Sequence, residues 1–189
     1  NMVYAFFLFN GMIMIMLILV EMPKSLLGPL TTIHGANKVS SILFQLVLAN
    51  KADNIIVVSN CSRDVCQAHN EGVDARDQYV LTSYETLQAE LQTRDTAPAL
   101  GVSFDVKLHT LMRFRQVHRY QFPIMGLIHS LGFEHHFRDL LTLMPLLMSG
   151  DKVLCPSENT QQTAIKAGFP AAHTAVFHYG VDTTVFQPI

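Results

Sequence analysis

The chain has 189 residues, of which 49% are hydrophobic and 15% charged, and 13 basic against 15 acidic side chains leave a net charge of −2 with neutral histidines. This length fits one domain, or one domain with an appendage, and it can bury a core without a metal or disulfide. The high apolar fraction and the small net charge exclude a disordered chain. They also argue against a nucleic-acid binder, which needs clustered Lys and Arg to displace phosphate counterions.

The cysteines form an odd set without a C-x-x-C pair: Cys61, Cys66 and Cys155. Such a set argues against a disulfide framework and favours free thiols in a reducing compartment. We therefore expect a cytoplasmic protein.

The N-terminal segment is apolar: residues 2–20 carry no charge, and Asn10-Gly11 divides them into two runs. No basic region or small-residue cleavage site indicates a signal peptide. The length suits a membrane-spanning helix, but Asn-Gly is a turn signal. Residues 12–20 are a continuous run of Ile, Leu, Val and Met, which is typical of a strand buried on both faces of a parallel sheet. We favour that strand, assign residues 1–11 to an apolar extension or scar, and assign 12–189 to the domain.

The next segment predicts a βαβ unit. A loop rich in Gly, Pro and Thr covers residues 23–38, and apolar residues with helical spacing at 39–47 predict an amphipathic helix. The β-branched run at 54–59 predicts the second strand. A strand, loop, helix and strand in this order imply a right-handed crossover.

The middle of the chain is harder to interpret. Residues 63–80 are polar and aperiodic, and Ser83 is placed to cap a helix. Alternating apolar and polar residues predict a third strand at 103–110. The basic stretch at 112–120 is typical of a solvated helix face.

In the last third, apolar runs predict strands at residues 124–128, 153–155 and 174–178. Between the first two of these lies a helical stripe at 137–148, where Pro145 must kink the helix or start a new turn. Together with the preceding segments, this alternation of β and α predicts a Rossmann-like α/β domain, with three αβα layers around a mostly parallel sheet.

The end signals of the last predicted helix are complete. Ser157 is placed as its N-cap, Glu158 lies in its first turn, and Gly168 follows its last turn.

Candidate binding residues follow from the predicted sheet, because ligands of open α/β sheets bind beyond the carboxyl ends of the strands. The polar residues at these positions are the loop 28–38, His109-Thr110, His129-Ser130, Ser157-Glu158 and Gly180-Val181-Asp182. The loop matches neither G-x-G-x-x-G nor a P-loop. His129 follows an apolar strand directly, where an imidazole can hydrogen-bond a sugar hydroxyl or satisfy nearby backbone.

Other chemical signatures are weak. In Glu134-His135-His136 the adjacent histidines would point about 100° apart on a helix, so they lack the spacing of a metal pair and we predict no metal site. No Gly-x-Ser-x-Gly elbow is present to anchor a hydrolase triad.

Three segments of the second half occur together in a specific order and spacing. They are 123–130 (PIMGLIHS), 151–158 (DKVLCPSE), and 178–182 (HYGVD) followed by Phe186-x-Pro188. With them, the chain resembles the N-terminal, acceptor-side domain of the retaining GT-B glycosyltransferases of group 1, family four. Residues 12–59 fit the first βαβ unit of that family, with Gly35-Ala36 where a Gly-Gly often stands.

The resemblance implies one half of a two-domain enzyme. The N-terminal half binds a sugar, glycan or lipid acceptor, and a C-terminal half binds a nucleotide-sugar donor such as a UDP- or GDP-sugar, without a metal. It implies that His129 lies beside the transferred sugar as the catalytic residue, and that Gly180 lies near the donor phosphates. The remaining candidate substrate-binding residues are Gly35, Ser130, Ser157, Glu158 and Asp182.

The donor-side Glu-x7-Glu segment of the family does not occur in the 189 residues. We therefore expect an inactive half-site whose C-terminal donor domain is missing. The alternative is a stand-alone Rossmann-like binding or assembly module without catalysis. Attachment of residues 2–20 to the inner face of a membrane stays open as a further alternative.

Overall fold

The computed structural model describes residues 17–22, 54–72, 79–104, 108–128, 131 and 134–178, with only the backbone of 54, 69, 71, 72, 134 and 135. The strands are β1 (Leu17–Glu21), β2 (Asn54–Ser59), β3 (Tyr79–Ser83), β4 (Pro98–Ser103), β5 (Ile124–Leu127), β6 (Lys152–Cys155) and β7 (Thr174–Val176). The α-helices are α1 (Arg63–Gly72), α2 (Tyr84–Gln92), α3 (Leu108–Val117), α4 (Glu134–Thr142) and α5 (Glu158–Lys166). Short 3-10 helices cover Met144–Leu146 and Ala171–His173.

The strands of this part of the chain form one parallel sheet in the order β3-β2-β1-β4-β5-β6-β7. β1 is central: Leu19 pairs with Ile56 on one side and with Gly101 on the other. The strand order reverses between β1 and β4. The predicted α/β, Rossmann-like architecture is confirmed.

The central strands are buried on both faces. In β1, residues 17–20 are each 2% exposed or less. Leu17 and Leu19 pack on the face that contacts α2, α3 and α4, whereas Ile18 and Val20 pack on the face that contacts α1. Side chains of a strand alternate between faces, so burial on both sides requires a continuous apolar run. This explains why residues 17–20 have the pattern of a core strand.

Several predicted element ends are confirmed. β2 covers the predicted 54–59, and the helix before Pro145 ends at Thr142, after which Pro145 lies in a separate 3-10 turn. The Ser157 hydroxyl caps α5 by accepting a hydrogen bond from the Thr160 N–H at 3.2 Å. Gly168 follows α5 with a φ of +100°, the left-handed conformation that favours glycine.

The prediction of a third strand at 103–110 is wrong. β4 ends at Ser103, and α3 begins at Leu108. β4 was missed because Gly101 occupies a core position: a Cβ there would lie 3.0 Å from Phe122 and 3.2 Å from Leu111. A small residue is required at that point, so the strand lacks the apolar alternation on which the prediction relies.

The polar stretch 63–80, for which the sequence pattern predicts no element, contains a helix and the start of a strand. Residues 63–72 form α1, and Tyr79 and Val80 begin β3, an edge strand that is only half-buried at its start. An edge strand tolerates polar positions, so it lacks the continuous apolar run of a central strand.

The solvated face predicted at 112–120 is partly wrong. Arg113, His118 and Arg119 are exposed, but Arg115 is 1% exposed. Its guanidinium contacts both carboxylate oxygens of Asp151, at 2.6 and 2.7 Å. Arg115 lies four positions after Leu111, on the buried face of α3.

The prediction of free thiols is wrong for the pair Cys61 and Cys66, which form a disulfide across the start of α1 with their Cα atoms 6.7 Å apart. The chain turns back after β2, which brings the two cysteines close enough to bond. Because disulfides persist mainly in oxidising compartments, this pair no longer supports the prediction of a reducing compartment. Cys155 is free and buried, as expected. No helix within the described residues is long and apolar enough to cross a membrane.

Candidate functional site

The candidate site lies at the edge of the sheet where the parallel strands end. The final residues of β1, β2, β3 and β4 are all polar and almost completely buried: Glu21 is 7% exposed, Ser59 0%, Ser83 2% and Ser103 0%. Strand order reverses between β1 and β4, and such a reversal is where open α/β sheets bind ligands. We therefore place the candidate site at the carboxyl ends of these strands.

Glu21 lies at the centre of this edge. The phenol of Tyr84 donates a hydrogen bond to Oε1 of Glu21 at 2.8 Å, and the hydroxyl of Ser103 donates to Oε2 at 2.8 Å. Ser103 is brought into place by strand register, since it pairs with Glu21 across β1 and β4. Tyr84 is the first residue of α2, directly after β3. We call these three residues the Glu21 cluster.

Burial is the main cause of a strongly raised pKa at Tyr84, and the charge of Glu21 and the hydrogen bond between them raise the pKa further. The phenol therefore stays protonated and acts as a donor toward the carboxylate. This holds the Glu21 cluster in one arrangement over the pH range in which proteins normally work.

Ser59 is the second unusual group at this edge. Its side-chain oxygen is fully buried and makes no hydrogen bond. Strand alternation places it with Ile55 and Val57, on the opposite face of the sheet from Glu21. Buried hydroxyls without a partner are uncommon and cost about 1–3 kcal/mol. A polar group of a ligand could satisfy this hydroxyl.

Ser83 serves the structure rather than a ligand. Its N–H donates to the Thr86 hydroxyl at 3.3 Å, and the two hydroxyls lie 3.0 Å apart, at the start of α2. The predicted helix-capping role of Ser83 is confirmed. The cap stabilises the start of α2 and thereby fixes the position of Tyr84, the first residue of that helix.

Four sequence-predicted site residues lie in the described part of the chain: His109, Thr110, Ser157 and Glu158. The prediction for His109 and Thr110 is wrong, because they lie in the first turn of α3 and not directly beyond a strand end. That leaves Ser157 and Glu158. They follow β6, which β5 separates from β4. Ser157 is used as a helix cap, whereas Glu158 is exposed at the first turn of α5. Neither contacts the Glu21 cluster through a hydrogen bond that the structure shows, and their binding role stays a prediction.

The other sequence-predicted residues lie outside the described residues: His129, Ser130, Gly35, Gly180 and Asp182. Their roles stay predictions. Sequence reasoning did not single out Glu21, Tyr84 or Ser103. A charge at the end of an apolar run is the signal that could have identified Glu21.

Two further kinds of site concern the described residues, a metal centre and a nucleophilic thiol. No group of three or more His, Cys, Asp or Glu side chains there is placed to hold a metal ion. Burial raises the pKa of the Cys155 thiol to about 11, so it stays protonated and is a poor nucleophile.

A concavity of about 450 Å³ lies at the outer edge of β3, between α1 and α2. Asn70 of α1 closes part of this edge, because its side-chain amide bonds both the N–H and the C=O of Leu81, each at 2.9 Å. These bonds replace a neighbouring strand and protect the edge from pairing with another chain.

No protein-family model and no curated protein matches the chain. Among solved structures it is similar to Anabaena Alr3699/HepE in complex with UDP and glucose, with 17% identity, a TM-score of 0.57, and coverage of 90% of this chain and 46% of that one. The complex of the same protein with UDP has 14% identity to this chain, and its complex with UDP-glucose has 18%. In both cases the match covers 90% of this chain and 45% of the other, with a TM-score of 0.57. The chain therefore spans about half the length of these structures. At such identities the similarity shows the fold.

Proposed function

We propose that this chain is the acceptor-side domain of a glycosyltransferase that uses a nucleotide-sugar such as a UDP- or GDP-sugar as its donor. One observation carries the proposal: 90% of the chain follows the fold of less than half of Alr3699/HepE, which has been solved with UDP, glucose and UDP-glucose. The resemblance of 123–130, 151–158 and 178–188 to one glycosyltransferase family supports it independently.

The site suits the chemistry of glycosyl transfer. A hydroxyl oxygen of the acceptor forms a bond to the anomeric carbon of the donor sugar while the bond from that carbon to the nucleotide diphosphate breaks. The departing diphosphate needs preorganised donors and a cleft that excludes water. In the proposal, the C-terminal half holds the diphosphate, His129 lies beside the transferred sugar, and the carboxyl edge of this sheet receives the acceptor.

A transfer assay on the longest natural form of the protein tests the proposal. With UDP-glucose and other UDP- and GDP-sugars as donors and an acceptor panel, we expect turnover that releases the nucleoside diphosphate. His129→Ala should lower kcat about 100-fold or more, as removal of a transition-state donor does elsewhere. The matched control is His118→Ala, at an exposed position near the end of α3. Absence of transfer and hydrolysis with every donor would favour the non-catalytic binding module.

Calorimetry on the 189-residue chain tests the half-site part of the proposal. Apart from Gly180, the groups proposed to lie at the donor diphosphate belong to the other half, so UDP-glucose should bind with a Kd weaker than about 1 mM. Micromolar binding of UDP-glucose by this chain would contradict the division of roles.

A further inference from the structure

We propose that Cys61 and Cys66 form a thiol–disulfide exchange site that takes a dithiol as its reductant, and that reduction of the pair loosens α1 at the β3 edge of the sheet. This inference goes beyond the proposed function and does not depend on it. It assigns to the chain a site whose two oxidation states differ in how firmly one helix is held.

The disulfide can be reached from solvent at Cys61. This residue is half-buried and lies between two exposed residues, Asn60 and Ser62, whereas Cys66 is only 4% exposed. An incoming thiolate must reach a sulfur atom in order to exchange, and exposed disulfides are therefore more labile than enclosed ones. We expect attack at the Sγ atom of Cys61, with Cys66 as the leaving group.

The surroundings of Cys66 favour its departure as a thiolate. It is the fourth residue of α1, and the N-terminal turn of a helix stabilises an anion beside it. Arg63 and Asp64 are exposed residues of the same turn with opposite charges, but of the two only Arg63 lines the concavity that Cys66 also lines. The acidic residue of that concavity, Glu90, is paired with Arg94 at 2.8 Å. A stabilised thiolate leaves faster in exchange.

The disulfide is a main attachment of α1. Among the described side chains of this helix, Cys66 alone is buried, and it belongs with Ile55, Val57 and Leu81 to the apolar cluster on this face of the sheet. The other described side chains of the helix are exposed: Arg63, Asp64, Val65, Gln67, Ala68 and Asn70. A helix of ten residues is marginal without tertiary packing, so α1 depends on the few groups that tie it to the sheet.

The exchange transfers two electrons and is complete with a dithiol. One thiolate of the dithiol bonds to the Sγ atom of Cys61 while the bond between Cys61 and Cys66 breaks, and Cys66 leaves as a thiolate that takes up a proton. The second thiol of the reductant loses its proton and attacks the first sulfur of the reductant, which releases Cys61 to take up a proton in turn. The dithiol is thereby oxidised to a disulfide, and the pair is reduced to two thiols.

Loosening of α1 changes the outer edge of the sheet. The Asn70 side chain bonds the N–H and the C=O of Leu81, each at 2.9 Å, and so takes the place of a neighbouring strand. The disulfide holds the other end of the helix close to the end of β2. When that end is free, α1 opens more readily, and Asn70 separates from Leu81 more often. The reduced form therefore presents a β3 edge that is more available for pairing with another strand.

Differential alkylation of the longest natural form of the protein tests the exchange. With dithiothreitol as the dithiol and no denaturant, we expect iodoacetamide to label Cys61 and Cys66 at no less than about one tenth of the rate in urea. Cys155 is fully buried and should stay unlabelled until urea is added, so it is an internal control. Reduction that requires urea would overturn the proposal, as would labelling of both thiols in air-oxidised protein before any reductant is added.

Hydrogen exchange followed by mass spectrometry tests the loosening of α1. After reduction we expect the amides of residues 63–72 to exchange about tenfold faster or more, because the cross-link no longer restrains the start of the helix. The amides of β1 should respond less in the same samples. Unchanged exchange of α1 would overturn the proposal, and so would an equal acceleration in β1, which would mean that reduction destabilises the whole fold.

Cys61→Ser removes the bond permanently and should give rapid exchange of α1 with and without dithiothreitol. The matched control is Ala68→Ser, which introduces the same hydroxyl at an exposed position of α1, keeps both cysteines and should respond to dithiothreitol as the unchanged protein does. A response of α1 in Cys61→Ser to dithiothreitol would refute the assignment to this pair. Should Cys61→Ser not fold, the comparison of oxidised with reduced protein still decides. None of these measurements involves sugar transfer, so this proposal and the glycosyltransferase function fail separately.

Discussion

Asp151 is a single residue that joins several parts of the fold. One of its carboxylate oxygens accepts from Arg115 and from the Ile124 N–H, and the other accepts from Arg115 and from the Met148 N–H. Arg115 also donates to the carbonyls of Phe122 and Leu146, at 2.8 and 2.9 Å. The pair therefore connects α3 to the starts of β5 and β6, although the buried Nε of Arg115 makes no hydrogen bond.

We expect Asp151→Asn to lower the free energy of unfolding by about 3–5 kcal/mol, because it leaves the Arg115 guanidinium buried without its counter-charge. Urea denaturation measures this loss. Asp139→Asn on α4 is the matched control, since Asp139 is exposed and should change stability by less than about 0.5 kcal/mol. A loss below about 1 kcal/mol for Asp151→Asn would show that water or rearrangement compensates the guanidinium.

At the scale of elements, β5 and α3 pack closely at Gly126. A Cβ built at Gly126 would overlap the Leu108 side chain, with which α3 begins. This glycine lets the helix approach the strand that precedes His129. Its requirement is steric, since no unusual backbone angle is recorded there.

Gly126→Ala should destabilise the protein by about 1–3 kcal/mol through overpacking against Leu108. The double variant with Leu108→Val should lose less than the sum of the two single variants, because the shorter side chain removes the overlap. Thermal or urea unfolding of the four proteins gives this comparison. Additive losses would mean that Gly126 and Leu108 do not constrain each other.

Element ends were the most predictable local features. Ser157 as a cap, the break at Pro145 and the glycine after α5 all depend on chemistry within a few residues along the chain. The strand β4 was not predictable in this way, because Gly101 is small for a reason that lies in α3 and Phe122.

At the scale of the whole molecule, the strand order determines which parts are most protected. β1 has a neighbour on both sides and is covered on both faces, whereas β7 is half-buried and, among the described strands, pairs with β6 alone. Stability against local opening follows burial and hydrogen bonding. The edge that carries the Glu21 cluster therefore belongs to the most rigid part of the described sheet.

Hydrogen exchange should reflect this order. We expect the amides of Ile18, Leu19 and Val20 to exchange by global unfolding, and those of β7 to exchange by local opening at a rate at least about tenfold higher. Native-state exchange followed by NMR or mass spectrometry distinguishes these strands. Equal protection of β1 and β7 would indicate that another surface covers β7 in solution.

The sequence by itself determined the class of fold and the ends of its elements. Apolar runs such as residues 17–20, the cap at Ser157 and the break at Pro145 are local, and each can be inferred from its own stretch of chain. The placement of candidate binding residues just after strands also followed from the pattern, because parallel strands end at one edge. The residues it named at that edge still need experimental tests.

Only the tertiary structure decided which side chains meet. Arg115 and Asp151 lie 36 positions apart, and Glu21 lies 82 positions from Ser103, so neither contact has a signal within one stretch of the chain. Arg115, in a helix whose sequence predicts a solvated face, is therefore buried beside Asp151. Such contacts depend on the order and register of the strands, and many distant pairings are compatible with the same local pattern of apolar and polar residues.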